Sequence, residues 1–161
     1  MEINYYLKHA KRFLLPIVLI TSNYIYSQTY HFDNYSVKEG LAQSSVYAIQ
    51  QDKNGLIWLG TASGLSKFDG NEFINYTTED GLSDGAVKVI HIDTAGVIWI
   101  GHVDGGISQY KDGKIRTLLS MSADITSFNE DQEGNLWVSS YREGALKISN
   151  PYEQNADSLT F

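Results

Sequence analysis

Three copies of one phrase dominate this chain. They are Asp52-Lys53-Asn54-Gly55-Leu56-Ile57-Trp58-Leu59-Gly60, Asp93-Thr94-Ala95-Gly96-Val97-Ile98-Trp99-Ile100-Gly101 and Asp131-Gln132-Glu133-Gly134-Asn135-Leu136-Trp137-Val138-Ser139. Trp58, Trp99 and Trp137 stand 41 and then 38 residues apart. A fixed period of this length means one supersecondary unit used repeatedly. That constrains the fold and the placing of a functional face together, which no single-residue motif here does.

The copies extend outward from the tryptophan. Upstream lie Val46-Tyr47-Ala48-Ile49-Gln50, Val87-Lys88-Val89-Ile90-His91 and Ile125-Thr126-Ser127-Phe128-Asn129. Downstream lie Gly64-Leu65-Ser66-Lys67-Phe68, Gly106-Ile107-Ser108-Gln109-Tyr110 and Gly144-Ala145-Leu146-Lys147-Ile148. Asp69-Gly70 and Asp112-Gly113 then mark turns, and Phe73-Ile74-Asn75-Tyr76 follows the first. Each unit reads as four short strands rich in Val, Ile, Phe, Tyr and Trp, punctuated by Gly and Asp. No stretch after residue 30 sustains helical periodicity. Four-stranded units at this period predict an all-β chain of β-propeller blades, an incomplete arc of about three. The expected blades are residues 42–82, 83–121 and 122–161. Phe32-Asp33-Asn34-Tyr35 repeats the aromatic run, so a leading strand over 30–37 is expected to belong to a closing blade. Closed propellers use about four to eight blades. The chain is therefore expected to be part of a longer reading frame, with Leu159-Thr160-Phe161 opening a fourth strand. A three-bladed protein that assembles with itself is the alternative.

The repeated Asp52, Asp93 and Asp131, with Gly55, Gly96 and Gly134, have a local task. The Asp accepts hydrogen bonds from backbone N–H groups two residues on, and the Gly supplies the positive φ that closes a short hairpin. Asp52-Lys53-Asn54-Gly55 partly resembles a calcium loop, but the other acidic ligands are missing. Trp58, Trp99 and Trp137 lie between apolar neighbours at regular spacing and are expected in the core, not as sugar platforms.

These residues resemble the two-component regulator propeller repeat, whose pattern runs through Asp-x-x-Gly-x-x-Trp-x-Gly-Thr to Gly-Leu-x-x-Phe/Tyr-Asp-Gly. The match runs from Tyr35-Ser36-Val37-Lys38-Glu39-Gly40-Leu41 through Trp58-Leu59-Gly60-Thr61 to Phe68-Asp69-Gly70, and over residues 32–148 as a whole. The second copy departs at His102, and the third at Ser139-Ser140 and in lacking the Asp-Gly turn. The resemblance implies the N-terminal periplasmic sensor region of a Bacteroidetes-type sensor histidine kinase. It also implies a downstream β-sandwich, a transmembrane helix and an output domain, which could equally be a phosphatase or a cyclase.

The chain has 161 residues, a net charge of −7 and no cysteine. An acidic surface disfavours nucleic acid and anionic lipid. The lack of cysteine excludes disulfides, a lipoprotein anchor and thiolate metal sites. Lys8, Lys11 and Arg12 precede the apolar run Phe13-Leu14-Leu15-Pro16-Ile17-Val18-Leu19-Ile20. That run is too short to span a bilayer stably and reads as the core of a signal peptide over residues 1–27, cleaved at Ser27-Gln28. An uncleaved anchor is the alternative, and either one exports residues 28–161 to the periplasm.

The four histidines do not form a catalytic constellation. His9 lies in the leader and His31 just after it. His91 shares its strand position with Gln50 and Asn129, and is expected to be a hydrogen-bonded polar rung. With four antiparallel strands, the first and third hairpins open on one face, and their turns are nearly alike. The second hairpin and the inter-blade connection open on the other face, and these differ: Thr61-Ala62-Ser63, His102-Val103-Asp104-Gly105 and Ser140-Tyr141-Arg142-Glu143. What differs between blades on a shared scaffold is where recognition can reside. His102, Asp104, Tyr141 and Arg142 are the candidate ligand-binding residues. Arg142 suits a carboxylate or sulfate, and Tyr141 suits a sugar ring. Simple solvated loop residues are the alternative. Asn34-Tyr35-Ser36 and Asn75-Tyr76-Thr77 are sequons, which matter only in a eukaryotic secretory pathway. Asp93-Thr94-Ala95 and Asp157-Ser158-Leu159 resemble bacterial O-glycosylation sites.

The expected function is ligand sensing by binding, without catalytic residues, cofactor or metal. The expected partners are a small-molecule or glycan ligand and the remaining blades of the parent chain. The intact receptor would add a homodimer partner and a downstream membrane helix. Two other classes fit the repeat. One is a propeller lyase of the streptogramin-degrading type, whose third strand ends in a Gly-Arg-Ile-like phrase where this chain has Leu65-Ser66-Lys67-Phe68-Asp69-Gly70. The other is a secreted protein-interaction scaffold.

Overall fold

A computed structural model describes residues 30–149 and residue 151. The signal peptide expected over 1–27 and the strand expected at Leu159-Thr160-Phe161 lie outside the described residues. The chain divides into two units, residues 1–33 and 34–161. In the first, residues 30–33 carry no strand. The second holds eleven strands among its described residues. These are β1 (Val46–Gln51), β2 (Ile57–Thr61), β3 (Gly64–Phe68), β4 (Phe73–Tyr76), β5 (Val87–Ile92), β6 (Ile98–His102), β7 (Gly106–Lys111), β8 (Lys114–Ser120), β9 (Ile125–Glu130), β10 (Leu136–Ser140) and β11 (Gly144–Ile148).

The strands form three antiparallel meanders: β1-β2-β3-β4, β5-β6-β7-β8 and β9-β10-β11. Inner strand follows inner strand, β1 against β5 and β5 against β9. This is an all-β arc of unclosed propeller blades. The third sheet has three strands among the described residues, where four were expected. Where a leading strand was expected over 30–37, residues 30–36 are without regular structure and Val37–Glu39 is a 3-10 turn.

Register places the residues of each sheet on two faces. Gln50, Trp58 and Lys67 lie opposite one another, as do Ala48, Gly60 and Leu65. Strand alternation puts both rows on the forward face of the first blade, toward the second. Trp58, Leu65, Ala48 and Tyr76 pack there against Val87, Ile90, Ile98, Ile100 and Tyr110. The forward face of the second blade repeats this. Trp99, Ile107 and Val89 pack against Ile125, Phe128, Leu136, Val138 and Ile148. Burying each of these large side chains stabilises the fold by about 1.5–3 kcal/mol. The core is thus two slabs between three sheets, which is why the inner and second strands are apolar on both faces.

Glycine admits the close approach between blades. A Cβ on Gly60 would lie 2.7 Å from Val87 Cγ1, and one on Gly101 would lie 2.6 Å from Ile125 Cγ2. Ser139 takes this place in the third blade, where its Oγ lies 2.7 Å from both Thr126 Oγ1 and Ser127 Oγ. Trp58 and Trp99 are 1% and 0% exposed, but Trp137 is 40% exposed. The core expectation fails for Trp137 because no further sheet among the described residues covers its face.

Candidate functional site

Each Asp-x-x-Gly-x-x-Trp phrase is a hydrogen-bonded hub. Asp52 Oδ1 accepts the N–H groups of Asn54 (2.8 Å) and Leu56 (3.0 Å). Its Oδ2 accepts the Trp58 indole N–H at 3.1 Å. Asp93 takes Val97 N–H at 2.9 Å and the Trp99 indole at 2.7 Å. Asp131 takes Glu133 N–H (3.0 Å), Asn135 N–H (2.9 Å) and the Trp137 indole (2.9 Å). The Trp137 indole, then Asn135, hold the Asp131 carboxyl well below the usual carboxylate range. The turn bonds were expected from the sequence, but the indole bonds were not. They commit these carboxylates to the scaffold, Asp52 of the calcium-like loop included.

The opposite face is the variable one. Backbone bonds tie each second hairpin to its inter-blade connection: Ala62 N–H to Ser45 O (3.1 Å), Val103 N–H to Ala86 O (3.2 Å) and Tyr141 N–H to Asp124 O (2.9 Å). The candidate residues fall on two of these hairpins. His102 ends β6 and is 0% exposed. Its Nε2 is hydrogen-bonded to Ser108 Oγ at 2.9 Å, and its Nδ1 has no hydrogen-bond partner among the described residues. Burial lowers its pKa, against the opposing charges of Asp104 and Asp84. Asp104 is exposed, and its Oδ1 accepts Gly106 N–H at 2.8 Å.

Tyr141 and Arg142 form the second pair. Arg142 has a φ of 74°, the left-handed region. Its guanidinium carbon stands 5.0 Å from the Tyr141 ring centroid, a cation–π stack. Tyr141 is 57% exposed. Glu143 beside them accepts Ser122 N–H and so fastens the hairpin to its connection. His102 and Asp104 lie together, as do Tyr141 and Arg142. No hydrogen bond or ion pair among the described residues joins one pair to the other.

A groove that sequence reasoning missed runs along the inner strands. It has a volume of about 780 Å³ and is lined by Val46, Tyr47, Ala48, Ile49, Gln50, Lys88, Val89, Ile90, Val103 and Thr126. Val103, from the His102 hairpin, is part of its wall. Lys88 Nζ bonds Asp124 Oδ2 at 2.6 Å, linking blades two and three, and this holds Asp124 below its usual pKa. The signal available in the sequence was a row of surface-type residues, Tyr47, Lys88 and Thr126, in strands otherwise apolar.

Three other features noted in the sequence take these places in the structure. His91 was expected to be a hydrogen-bonded rung, but its Nε2 has no partner among the described residues. Ser36 and Thr77 of the two sequons are the N-caps of 3-10 turns, with capping boxes closed by Glu39 and Asp80. Thr94 Oγ1, in the first O-glycosylation-like triplet, donates to Glu130 Oε1 at 2.9 Å.

Residues 40–63 and 120–142 match the family described as two component regulator propeller. Over 42 residues the chain is 52% identical to histidine kinase P4 of Formosa agariphila, covering 26% of this chain and 3% of that protein. Its fold is similar to the extracellular domain of a hybrid two-component system of B. thetaiotaomicron, with a TM-score of 0.65 and 25% identity. That likeness covers 71% of this chain and 18% of the other. A second hybrid system of the same organism has an extracellular domain that matches with a TM-score of 0.63 at 23% identity. It covers 74% of this chain and 17% of that one. The chain therefore spans under a fifth of the relatives it matches. Residues 40–63 and 120–142 thus carry the two-component regulator propeller pattern, and the arc of blades is similar in fold to segments of the extracellular domains of two-component systems.

Proposed function

We propose that this chain is the ligand-sensing, extracytoplasmic propeller region of a two-component receptor whose output is a histidine kinase. It acts by binding, without chemistry of its own. The observation that carries this reading is the contrast between the two faces. One is held by the same Asp–Trp hub in every blade, while the other presents a different hairpin each time. A face that varies on a constant frame suits recognition. The expected ligand is a small molecule or glycan, met by Asp104, Tyr141 and Arg142, with His102 behind Asp104. Arg142, already stacked on Tyr141, presents its donors to an acidic group, and the tyrosine ring offers an apolar face to a sugar. The leader over 1–27 exports the domain, and the leading segment over 30–37 belongs to a closing blade. Further blades of the parent chain and a second receptor copy complete the sensor. Ligand shifts the receptor only through a difference in affinity between its two arrangements.

The test is calorimetric titration of the intact sensor region with a panel of acidic and neutral oligosaccharides. Arg142→Ala and Tyr141→Ala are expected to weaken binding of the active compound at least tenfold, and to raise the concentration needed for kinase output in step. Unchanged affinity in both variants would remove these residues from the site. Unchanged output on ligand binding would remove the sensing role.

A further inference from the structure

Each inner strand carries one extra residue at the same place. Val46 pairs with Thr61 and Ala48 with Gly60, which leaves Tyr47 over. Val87 pairs with His102 and Val89 with Gly101, which leaves Lys88 over. Ile125 pairs with Ser140 and Ser127 with Ser139, which leaves Thr126 over. These are β-bulges, which break the alternation of a strand and re-aim a side chain. The second blade shows the consequence. Residues two apart on a regular strand share a face. Yet Val87 packs in the slab toward the first blade, and Val89 in the slab toward the third. Lys88 between them belongs to neither slab.

All three bulged residues line the groove of about 780 Å³. Tyr47 is 54% exposed, and the Lys88 side chain 40%. Packing therefore leaves their identity open, and they bring a ring, an ammonium and a hydroxyl to one surface. The volume is that of a small-molecule site, and Val46, Ile49 and Val103 supply apolar walls. Among the described residues lining it, Lys88 carries the one charge, in a chain with 19 Asp and Glu against 12 Lys and Arg. Asp124 Oδ2 takes one donor of that ammonium at 2.6 Å. An ammonium has three donors, so two remain for a ligand acid. Thr126 Oγ1 is held by Ser139, so recognition falls to Tyr47 and Lys88.

We propose that this groove binds a small molecule with a carboxylate on a ring, Lys88 taking the carboxylate and Tyr47 packing on the apolar face of the ring. Its role as a sensing site rests on the receptor reading above, to which it adds contacts other than Tyr141 and Arg142. The ligand acid competes with Asp124 for Lys88. Binding thus loosens the ion pair that links blades two and three.

The test is calorimetric titration of the intact sensor region with para-nitrophenyl β-D-glucuronide and with the uncharged para-nitrophenyl β-D-glucoside. The glucuronide is expected to bind about tenfold more tightly. Lys88→Met should abolish that preference, and Tyr47→Ala should weaken both ligands. Asp124→Asn removes the competing carboxylate and should tighten glucuronide binding, a gain that a merely structural ion pair would not give. That variant also keeps the proposal falsifiable should Lys88→Met fail to fold. The proposal is overturned if the unmodified protein shows no preference for the glucuronide, if the preference survives Lys88→Met, or if Asp124→Asn brings no gain. Glucuronide binding that needs Arg142 and not Lys88 would overturn the groove and leave the receptor reading standing. Binding that follows Lys88 but never alters kinase output would bear out the groove and remove the receptor reading.

Discussion

The indole N–H of Trp99 donates to Oδ2 of Asp93 at 2.7 Å, and both residues are buried. This bond joins the turn of a hairpin to the packing face of its own blade. The same carboxylate holds Val97 N–H at 2.9 Å, so one side chain secures turn and core together. Asp93→Ala leaves both donors without an acceptor. We expect a loss of about 2–4 kcal/mol from two bonds to a charged group, read from urea unfolding midpoints. Asp131→Ala should cost clearly less, because Trp137 is 40% exposed and water can replace the carboxylate. Equal losses would show that burial does not set the worth of the bond.

The tryptophans should separate in the same way. Trp99→Ala removes a fully buried ring between two sheets and should cost about 3–5 kcal/mol. Trp137→Ala should cost about 1 kcal/mol, since the ring is only partly removed from water. Thermal unfolding of the two variants under identical conditions checks the order.

Gly101→Ala should destabilise by about 1–3 kcal/mol through overpacking, because its Cβ would fall 2.5 Å from Val89 Cγ1 and 2.6 Å from Ile125 Cγ2. Ser139→Gly, at the same position of the third blade, should change stability far less. Calorimetric Tm values for both variants test this, and a neutral Gly101→Ala would refute the seat assigned to Ile125.

Two pH windows follow from the lowered pKa values. Burial holds His102 below its ordinary 6.5, so the folded chain keeps the ring neutral while the unfolded chain takes up a proton first. The resulting stability is complete above about pH 6.5 and falls as pH drops below it. His102→Thr, which installs the residue of the first blade, should flatten that slope in urea midpoints measured between about pH 7.5 and 5.5.

Asp131 is also lowered, mainly by the Trp137 indole, from an ordinary 3.8. Its contribution is present above that value and lost as pH falls through the acid range. Asp131→Asn should make the acid limb less steep below about pH 4 while leaving the His102 window unchanged.

Much of the arc was legible from local pattern. The Asp-x-x-Gly turns, the strands flanking each tryptophan and the pairing of second hairpins with inter-blade connections all appeared where turn chemistry and period-two alternation put them. The candidate site was less legible. His102 reads as a loop residue beside Asp104, yet it is sealed against Ser108 by the strand it ends. Tyr141 and Arg142 are neighbours in sequence, but their stacking depends on the left-handed turn at Arg142. Ser36 and Thr77 are N-caps of 3-10 turns, a role their place in two sequons did not suggest.

The repeat, the strand order within each blade and the turn that closes each first hairpin are legible in the residues alone. Those depend on residues a few positions apart, whose preferences act before any long-range contact forms. Packing between the sheets sets the rest: Trp99 is sealed while Trp137 is open, and the repeated Asp holds the indole. These outcomes depend on which blade lies against which face. The residues that meet there are some forty positions apart, and an exposed copy and a buried copy of the phrase are spelled almost alike.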